Sequence, residues 1–475
     1  MFDDVEQVQR YLREERIALV DFKFCDLNGR WHHLSMPAGR FDAGIAERGV
    51  GFDGSSVGFA TLEAGDMAML PDLSTAFRDP FFDVPTLSFL CNIVEADTGR
   101  PSPLDPRGIA ARSEDCLRQS GIATESLWLP ELEFYIFDRV RYGSGVNRAG
   151  YQVDSCEAYW NSEGGELQNY GFQVPPHGGY HAIPPADSTF SLRNEMVQTL
   201  EAIGVPVKYH HHEVGGPGQG EIELPLTPLV RCADQVMLAK YVIRMTAYRH
   251  GKTAVFLPKP LYNEAGSGLH FHHTLRRDGQ PVYYDPEGYA GLSRTALSGI
   301  AGLLKHAPAV LAFTNPSTNS YRRLVPGFEA PVSLFFSLAN RSAAIRVPKY
   351  ATTPESKRFE FRTPDATCNP YLALAAQLLA IIDGIEQKLD PGAEGFGPID
   401  ENIFTWPEER RREIRALPAS LPEALQALQA DHGFLLAGNA FPEALIRQWI
   451  RLRQQDVRDI AVRPHPYEMD LYFDL

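Results

Sequence analysis

The chain has 475 residues, 44% hydrophobic and 22% charged, a globular profile too long for one ordinary core, so two domains or a large domain with a smaller partner are expected. The formal net charge of -15 argues against nucleic acid or an anionic membrane as the main partner, although a local basic cluster can still hold a negatively charged substrate. Six scattered cysteines without a Cys-x-x-Cys pair, no apolar signal core in "MFDDVEQVQRYLREER" and no uninterrupted bilayer-length apolar run predict a cytoplasmic protein in a reducing compartment, without a zinc knuckle.

Residues 3–16 read as an amphipathic helix with Val5, Val8, Tyr11 and Leu12 on one side. "IALVDFKFCDLNGRWHHLSMP" alternates in polarity and carries Asn28-Gly29, a hairpin signal. Further strands are expected at 67–70 and 87–94, and the proline-rich stretch 98–108 reads as a linker closing a small α+β domain near residue 100. Beyond it, "LWLPELEFYIFD" reads as a strand. Residues 372–389, whose first part is the longest apolar stretch, form a long helix, as do "PEALQALQADHGF" and "PEALIRQWIRLRQQDVRDI", each opening on a proline suited to a first helical turn. No internal repeat or low-complexity tract is present.

Charge then recurs at strand spacing. Glu131 and Glu133 would share one face of their strand, with Leu132 and Phe134 on the other. In "AGSGLHFHHTL", His270 and His272 would point one way and His273 the other. "HHHEVGGPGQGEIEL" adds Glu213, Glu221 and Glu223 around a glycine-rich bend, and "KRFEFRTPD" adds Glu360 and Arg362. Each pair alone fits a solvated strand face as well as a ligand set. Together, an oxygen-rich cluster with an imidazole suits magnesium or manganese better than zinc, and two such ions side by side are used in phosphoryl transfer. The cations Arg322, Arg323, Arg341, Arg346, Lys357, Arg358 and Arg362 lie in one short span of an acidic chain, which suits polyphosphate and carboxylate binding. "GGPGQGE" lacks the Gly-Lys-Ser/Thr ending of a P-loop, and no nucleophile elbow is present.

"GFDGSSVG", "LPELEF", "GGYHAIPPADS", "HHHEVGGPGQGE", "GKTAVFLPKPLYNEAGSGLHFH", "TNPSTNSYRRLVPGFEAPV", "NRSAAIRVP", "RFEFRTPDATCNPYLALA" and "RPHPYEMDLY" follow one another in an order and spacing that resembles type I glutamine synthetase along nearly the full chain. The resemblance implies an α+β protein. An N-terminal β-grasp-like domain would span 1–104, and a catalytic domain with a curved antiparallel sheet and flanking helices would span 105–475. It further implies a homo-oligomer, a dodecamer of two hexameric rings, with active sites between neighbouring subunits and no nucleic-acid or membrane partner.

The activity implied is ATP-dependent ligation of ammonia to the γ-carboxylate of glutamate, with two divalent cations, Mg2+ or Mn2+, and ATP as co-substrate. By resemblance, Glu131, His270 and Glu360 hold one cation and Glu133, Glu213 and Glu221 the other. Glutamate falls to Ala265, Gly266, Arg323, Glu329, Arg341 and Arg362, and the nucleotide to Lys208, His272, Thr274, Arg341, Arg346 and Arg358. The ammonium pocket is Asp53, Ser56, Tyr180, Glu213 and Glu329, with Asp53 as the base and reaching in from the adjacent subunit, Glu329 as a lid, and Arg341 completing the catalytic set. Glu223 and His273 receive no role.

Four departures stand out. Phe404 occupies the slot of a tyrosine that many bacterial members adenylylate, and without a hydroxyl it cannot be modified. Ala265 replaces an asparagine before Gly-Ser-Gly. Lys208 replaces an acid near the adenosine, and Glu355 lies close to the place of a lysine near the nucleotide. Three rival readings remain: a relative that joins glutamate to an organic amine such as a polyamine, a non-catalytic nitrogen-regulatory relative, and, from the acid cluster alone, a two-metal nuclease or phosphatase.

Overall fold

A computed structural model describes residues 2–60, 65–161, 170–327 and 330–475. The N-terminal helix Val5–Glu14 is capped by Asp4, whose side chain accepts from the Gln7 amide, and buries Val8 and Leu12. It packs on a five-stranded sheet made of β1 (Leu19–Cys25), β2 (Trp31–Pro37), β3 (Val50–Asp53), β4 (Asp66–Arg78) and β5 (Thr86–Glu95), in the order β2-β1-β5-β4-β3. Asn28-Gly29 forms the turn between β1 and β2, as its sequence predicts, while β1 and β5 run parallel. Val20, Phe22 and Phe24 of β1 point into the core beneath the helix. Alternation sends Asp21 and Lys23 to the other face, where Lys23 pairs with Asp21 and, at 3.1 Å, with Asp79, and Tyr241 of the larger body bonds Asp79.

The stretch 98–108 is docked rather than loose. Ser102 N–H donates to the Ile93 carbonyl, and the buried Asp105 carboxylate accepts from Ile93 N while capping the helix Pro106–Ser120. Arg107, at the start of that helix, reaches Asp234 at 3.0 Å, Asp72 at 2.7 Å and Asn92 at 2.9 Å, so one guanidinium ties β4 and β5 to the helix Leu229–Arg249.

The larger body is built on a ten-stranded, mainly antiparallel sheet. Its central strand, β6 (Glu125–Phe137), continues into the exposed ribbon of β7 (Arg139–Gly145) and β8 (Arg148–Asp154). The sheet then adds β9 (Tyr209–His212), β10 (Gln219–Glu223), the short β11 (Thr227–Pro228) and β12 (Thr253–Val255), β13 (Leu269–Arg277), β14 (Gln280–Pro281), β15 (Ser333–Leu338), β16 (Ala343–Val347) and β17 (Phe359–Phe361). Its main path runs β15-β16-β17-β13-β6-β10-β9. One face carries Leu132, Phe134, Ile222, Phe271, Phe359 and Phe361 into a core shared with helices Pro106–Ser120, Leu229–Arg249, Arg294–Thr314 and Pro370–Glu386. The other face carries the charges.

The helices at Pro370–Glu386, Leu421–Ala430 and Glu443–Ala461 and the strand β5 match the sequence expectation, while β4 extends well beyond the strand expected at 67–70. The helix Arg294–Thr314 is not among the elements that the sequence predicts. It is long and apolar enough to cross a membrane, but 83% of its apolar window is buried within this molecule.

Candidate active site

Strand register assembles the site. In β13–β6 pairing His270 lies opposite Glu131, in β10–β6 pairing Glu221 lies opposite Glu133, and Glu360 of β17 faces His272 on one side and Arg346 of β16 on the other. Because residues two apart share a face, six strands contribute Arg346, Glu360, His270, His272, Glu131, Glu133, Glu221, Glu223 and His211 to one surface. That surface floors a cleft of about 460 Å³.

His270 Nδ1 lies 3.1 Å from Glu131 Oε2 and 3.6 Å from Glu360 Oε1, and its Nε2 lies 3.7 Å from Glu133 Oε1. Glu131, His270 and Glu360 each offer a ligand atom within 4.8 Å of the others, and so do His211, Glu213 and Glu221. Glu133 sits between the two groups, accepting from the Gly268 amide at 2.8 Å. Glu360 is held by Arg346 and, at 3.0 Å, by Arg362. Among the described residues no lysine or arginine comes within ion-pair range of Glu131, Glu133 or Glu221.

This imbalance shapes the titration of the cluster. Burial, then Glu131, Glu133, Glu213 and Glu360, push the Glu221 carboxyl well above the ordinary glutamate range. Burial alone would raise Glu131 too, but the imidazoles of His272 and His270 outweigh it and hold it well below that range. Burial and Glu131 oppose ionisation of Glu360, yet Arg362, His272 and Arg346 prevail and lower it. Buried carboxylates short of positive charge, with imidazoles at their edge, fit hard divalent cations.

Of the residues singled out from sequence, Glu131, Glu133, Tyr180, Glu213, Glu221, Ala265, Gly266, His270, Arg323, Arg341, Arg346, Glu360 and Arg362 line this cleft. Arg323 is buried, and its guanidinium donates to the Thr363, Pro364 and Arg362 carbonyls and to His270 Nε2 at 3.0 Å. Gly266 passes so close beneath it that a Cβ there would lie 2.6 Å from Pro258 O and 2.7 Å from Arg323 Cγ. Beyond the cleft edge, on the same sheet face, His272 Nε2 bonds Glu131 at 2.7 Å, Arg358 reaches His272 Nδ1 at 3.3 Å, Thr274 follows two residues along β13, and Lys208 pairs with Glu223. Glu355 is exposed on the short turn Pro354–Ser356.

Asp53 and Ser56 are not brought to this cleft within one chain. Asp53 is exposed at the end of β3 and lines a separate shallow depression, where Ser55 Oγ (2.7 Å) and Ser56 Oγ (2.5 Å) donate to its carboxylate and lower its pKa. Glu329 and the Phe404 side chain lie outside what is described.

Sequence reasoning missed His211 and Tyr209 in the cleft wall, and Gln219 beside it. His211 faces Glu221 across β9 and β10 and lines the wall with Tyr209. Gln219 accepts from the Gly215 amide at 2.7 Å and donates to the Gly266 carbonyl at 3.1 Å, bracing the loop that carries Ala265 and Gly266. Counting back by two from Glu213 would have selected His211 among the three adjacent histidines. Gln219 carried no such signal. His273 faces the core, tilted against Trp128 and bonded to Tyr283 Oη at 2.9 Å, and burial drives its pKa down to about 3.

Comparison with known proteins agrees with this geometry. Residues 16–96 match the "Glutamine synthetase, beta-Grasp domain" family and residues 103–472 the "Glutamine synthetase, catalytic domain" family. The chain is 46% identical to a glutamine synthetase of Aquifex aeolicus, covering 99% of each chain, and 46% identical to one of Frankia alni, covering 100% of each. The chain belongs to the glutamine synthetase family. Its resemblance to bacterial glutamine synthetases supports type I. A Plasmodium falciparum glutamine synthetase structure superposes with a TM-score of 0.89 at 28% identity over 99% of both chains, so the β-grasp and catalytic folds are those of glutamine synthetase. A ligand-free GmaS, at 24% identity and a TM-score of 0.81, shares the fold.

Proposed function

We propose that this chain is an ATP-dependent ligase that joins ammonia to the γ-carboxylate of L-glutamate, giving L-glutamine, ADP and phosphate through γ-glutamyl phosphate. This places it in glutamine biosynthesis and nitrogen assimilation. The observation that carries the reading is full-length identity of 46% to bacterial glutamine synthetases in a chain whose sheet gathers the acidic and imidazole groups in one cleft.

Two divalent cations, Mg2+ or Mn2+, belong to the site in this reading. Glu131, His270 and Glu360 would hold one, and Glu133, Glu213 and Glu221 the other. Bound there, such ions offset negative charge on the phosphate oxygens during transfer. The protein's own groups do the rest. Arg341, Arg346 and Arg358, with His272, Thr274 and Lys208, hold the nucleotide. Arg323 and Arg362, with the Ala265–Gly266 backbone, Arg341 and Glu329, hold glutamate, and the buried, carbonyl-braced Arg323 fixes its orientation.

A γ-carboxylate oxygen then attacks the terminal phosphorus of ATP, the bond to ADP breaks, and an acyl phosphate forms. Ammonium is attracted by Asp53, Ser56, Tyr180, Glu213 and Glu329. Asp53 removes a proton, the free amine attacks the acyl carbon and phosphate leaves. Glu329 closes over the acyl phosphate and keeps water out. The low pKa of Asp53 keeps its carboxylate charged near neutral pH, which suits cation capture. Asp53 lies outside its own chain's cleft; in this reading it acts in the cleft of an adjacent subunit of a dodecamer of two hexameric rings. Six free cysteines suit the cytoplasm.

The test is phosphate release from ATP with glutamate plus ammonium, hydroxylamine, putrescine or no amine. Ammonium should give the fastest turnover at low amine concentration. Faster release with putrescine would favour a γ-glutamyl-amine ligase, and no release with any amine would overturn the reading.

A further inference from the structure

Behind Glu213 lies a buried polar assembly that the reaction scheme above does not use. Glu157, Asp187 and His212 are all buried, and their ligand atoms lie within 4.8 Å of one another. They do not form a cation site, because each is already engaged. Asp187 is gripped by Arg193 at 3.0 and 2.6 Å. Glu157 Oε2 accepts from the Ser188 amide at 2.9 Å and the Ser188 hydroxyl at 2.6 Å.

Glu157 Oε1 faces His212 Nε2 at 2.9 Å, and His212 Nδ1 in turn faces the Glu213 backbone carbonyl at 2.7 Å. The imidazole is thus fixed at both ends and spans the gap between a buried carboxylate and the peptide unit that carries Glu213. The same backbone also anchors the Tyr180 loop: His181 N donates to the His212 carbonyl at 3.0 Å, and Gly179 N to the Val214 carbonyl at 3.1 Å. Glu213 and Tyr180 both line the cleft, and both depend on the placement of residues 212–214.

We propose that His212, oriented by Glu157, is a positioning residue that sets Glu213 and the Tyr180 loop for ammonium capture. This rests on the reading of Glu213 and Tyr180 as part of the ammonium pocket. Removing the Nδ1 donor frees the Glu213 carbonyl to move, and Glu213 and Tyr180 shift with it. Glutamate, which is held by Arg323 and the Gly266 loop on the far side of β6, is left in place.

Two substitutions of similar size separate positioning from general damage. His212→Asn keeps an amide donor where Nδ1 stood, whereas His212→Gln can reach Glu157 but places no donor against the Glu213 carbonyl. At saturating metal, His212→Gln should raise the KM for ammonium about tenfold and leave that for glutamate within about twofold, while His212→Asn stays within about threefold for both. Mn2+ affinity measured by calorimetry without substrates should follow the same order, weakening about tenfold only in His212→Gln.

Equal behaviour of the two variants, parallel rises in both KM values, or no change in either would overturn the proposal. If His212→Gln does not fold, the near-isosteric Glu157→Gln replaces it: a selective rise in the ammonium KM supports the proposal, and an unselective or absent one refutes it. Glu213→Gln is the control for the underlying reading. If it leaves the ammonium KM unaltered, the assignment of Glu213 fails. An altered Glu213→Gln beside an unaltered His212→Gln fails only the inference.

Discussion

His306 is a buried imidazole clamped between two aspartates, with Nδ1 at 2.7 Å from Asp431 and Nε2 at 2.8 Å from Asp383. Lys305 lies 3.7 Å from Asp383, and the ring stacks on Phe434. Burial alone would lower the His306 pKa, but bonding to Asp383 and Asp431 outweighs it and raises the value above the usual imidazole range. A group whose pKa is raised on folding contributes fully below its unfolded value of about 6.5, and that contribution fades as pH rises through the folded value. As pH rises above about 6.5, the melting temperature of the wild-type protein should therefore fall by more than that of His306→Gln. Matching slopes in thermal scans of the two proteins would refute the clamp. At this same scale, the strand period makes Glu131, Glu133, His270 and His272 legible from the amino-acid order alone. His211 follows from the same period, two residues before Glu213, but Gln219 does not, because choosing one glutamine in a glycine-rich bend needs the register of β10 against β6.

The helices Arg294–Thr314 and Pro370–Glu386 pack at two facing glycines. A Cβ on Gly302 would lie 2.3 Å from Ala380 O and 2.6 Å from Gly384 Cα, and one on Gly384 would lie 2.4 Å from Ser298 O. Backbone meets backbone there, so no side chain can turn aside to make room. Gly302→Ala should cost about 2 kcal/mol through overpacking, read as a lower urea midpoint, with turnover per folded molecule retained because the contact lies on the core side of the sheet. The first of these helices escapes a sequence reading for a related reason: small and apolar residues line most of its circumference, so it shows no clean amphipathic stripe, and Pro308 within it reads as a helix breaker. The segment 98–108 misleads in the opposite direction. Its prolines and turn residues resemble a solvated linker, yet Asp105 serves at once as a helix cap and as an acceptor for β5.

For the whole molecule, the decisive feature is what one chain lacks. Its cleft gathers metal-ligand candidates, arginines and the Ala265–Gly266 loop around a single sheet, but the proposed base, Asp53, lines a separate depression on the small domain. No local pattern marks Asp53 out, since it sits in an Asp-Gly turn like many others, and the proposed role needs a second subunit that no short stretch of sequence encodes. If each site draws Asp53 from a neighbour and Glu131 from its own chain, the two defects can compensate in a ring. Asp53→Ala and Glu131→Ala should each be nearly inactive alone. Dissociated, mixed in equal amounts and reassembled at random, about one site in four would pair an Asp53→Ala chain, whose own Glu131 is intact, with a Glu131→Ala neighbour supplying Asp53, restoring roughly a quarter of wild-type activity. Gel filtration and native mass spectrometry would confirm that mixed rings form. Mixed rings with no recovered activity would show that Asp53 and Glu131 are not shared across subunits in this way.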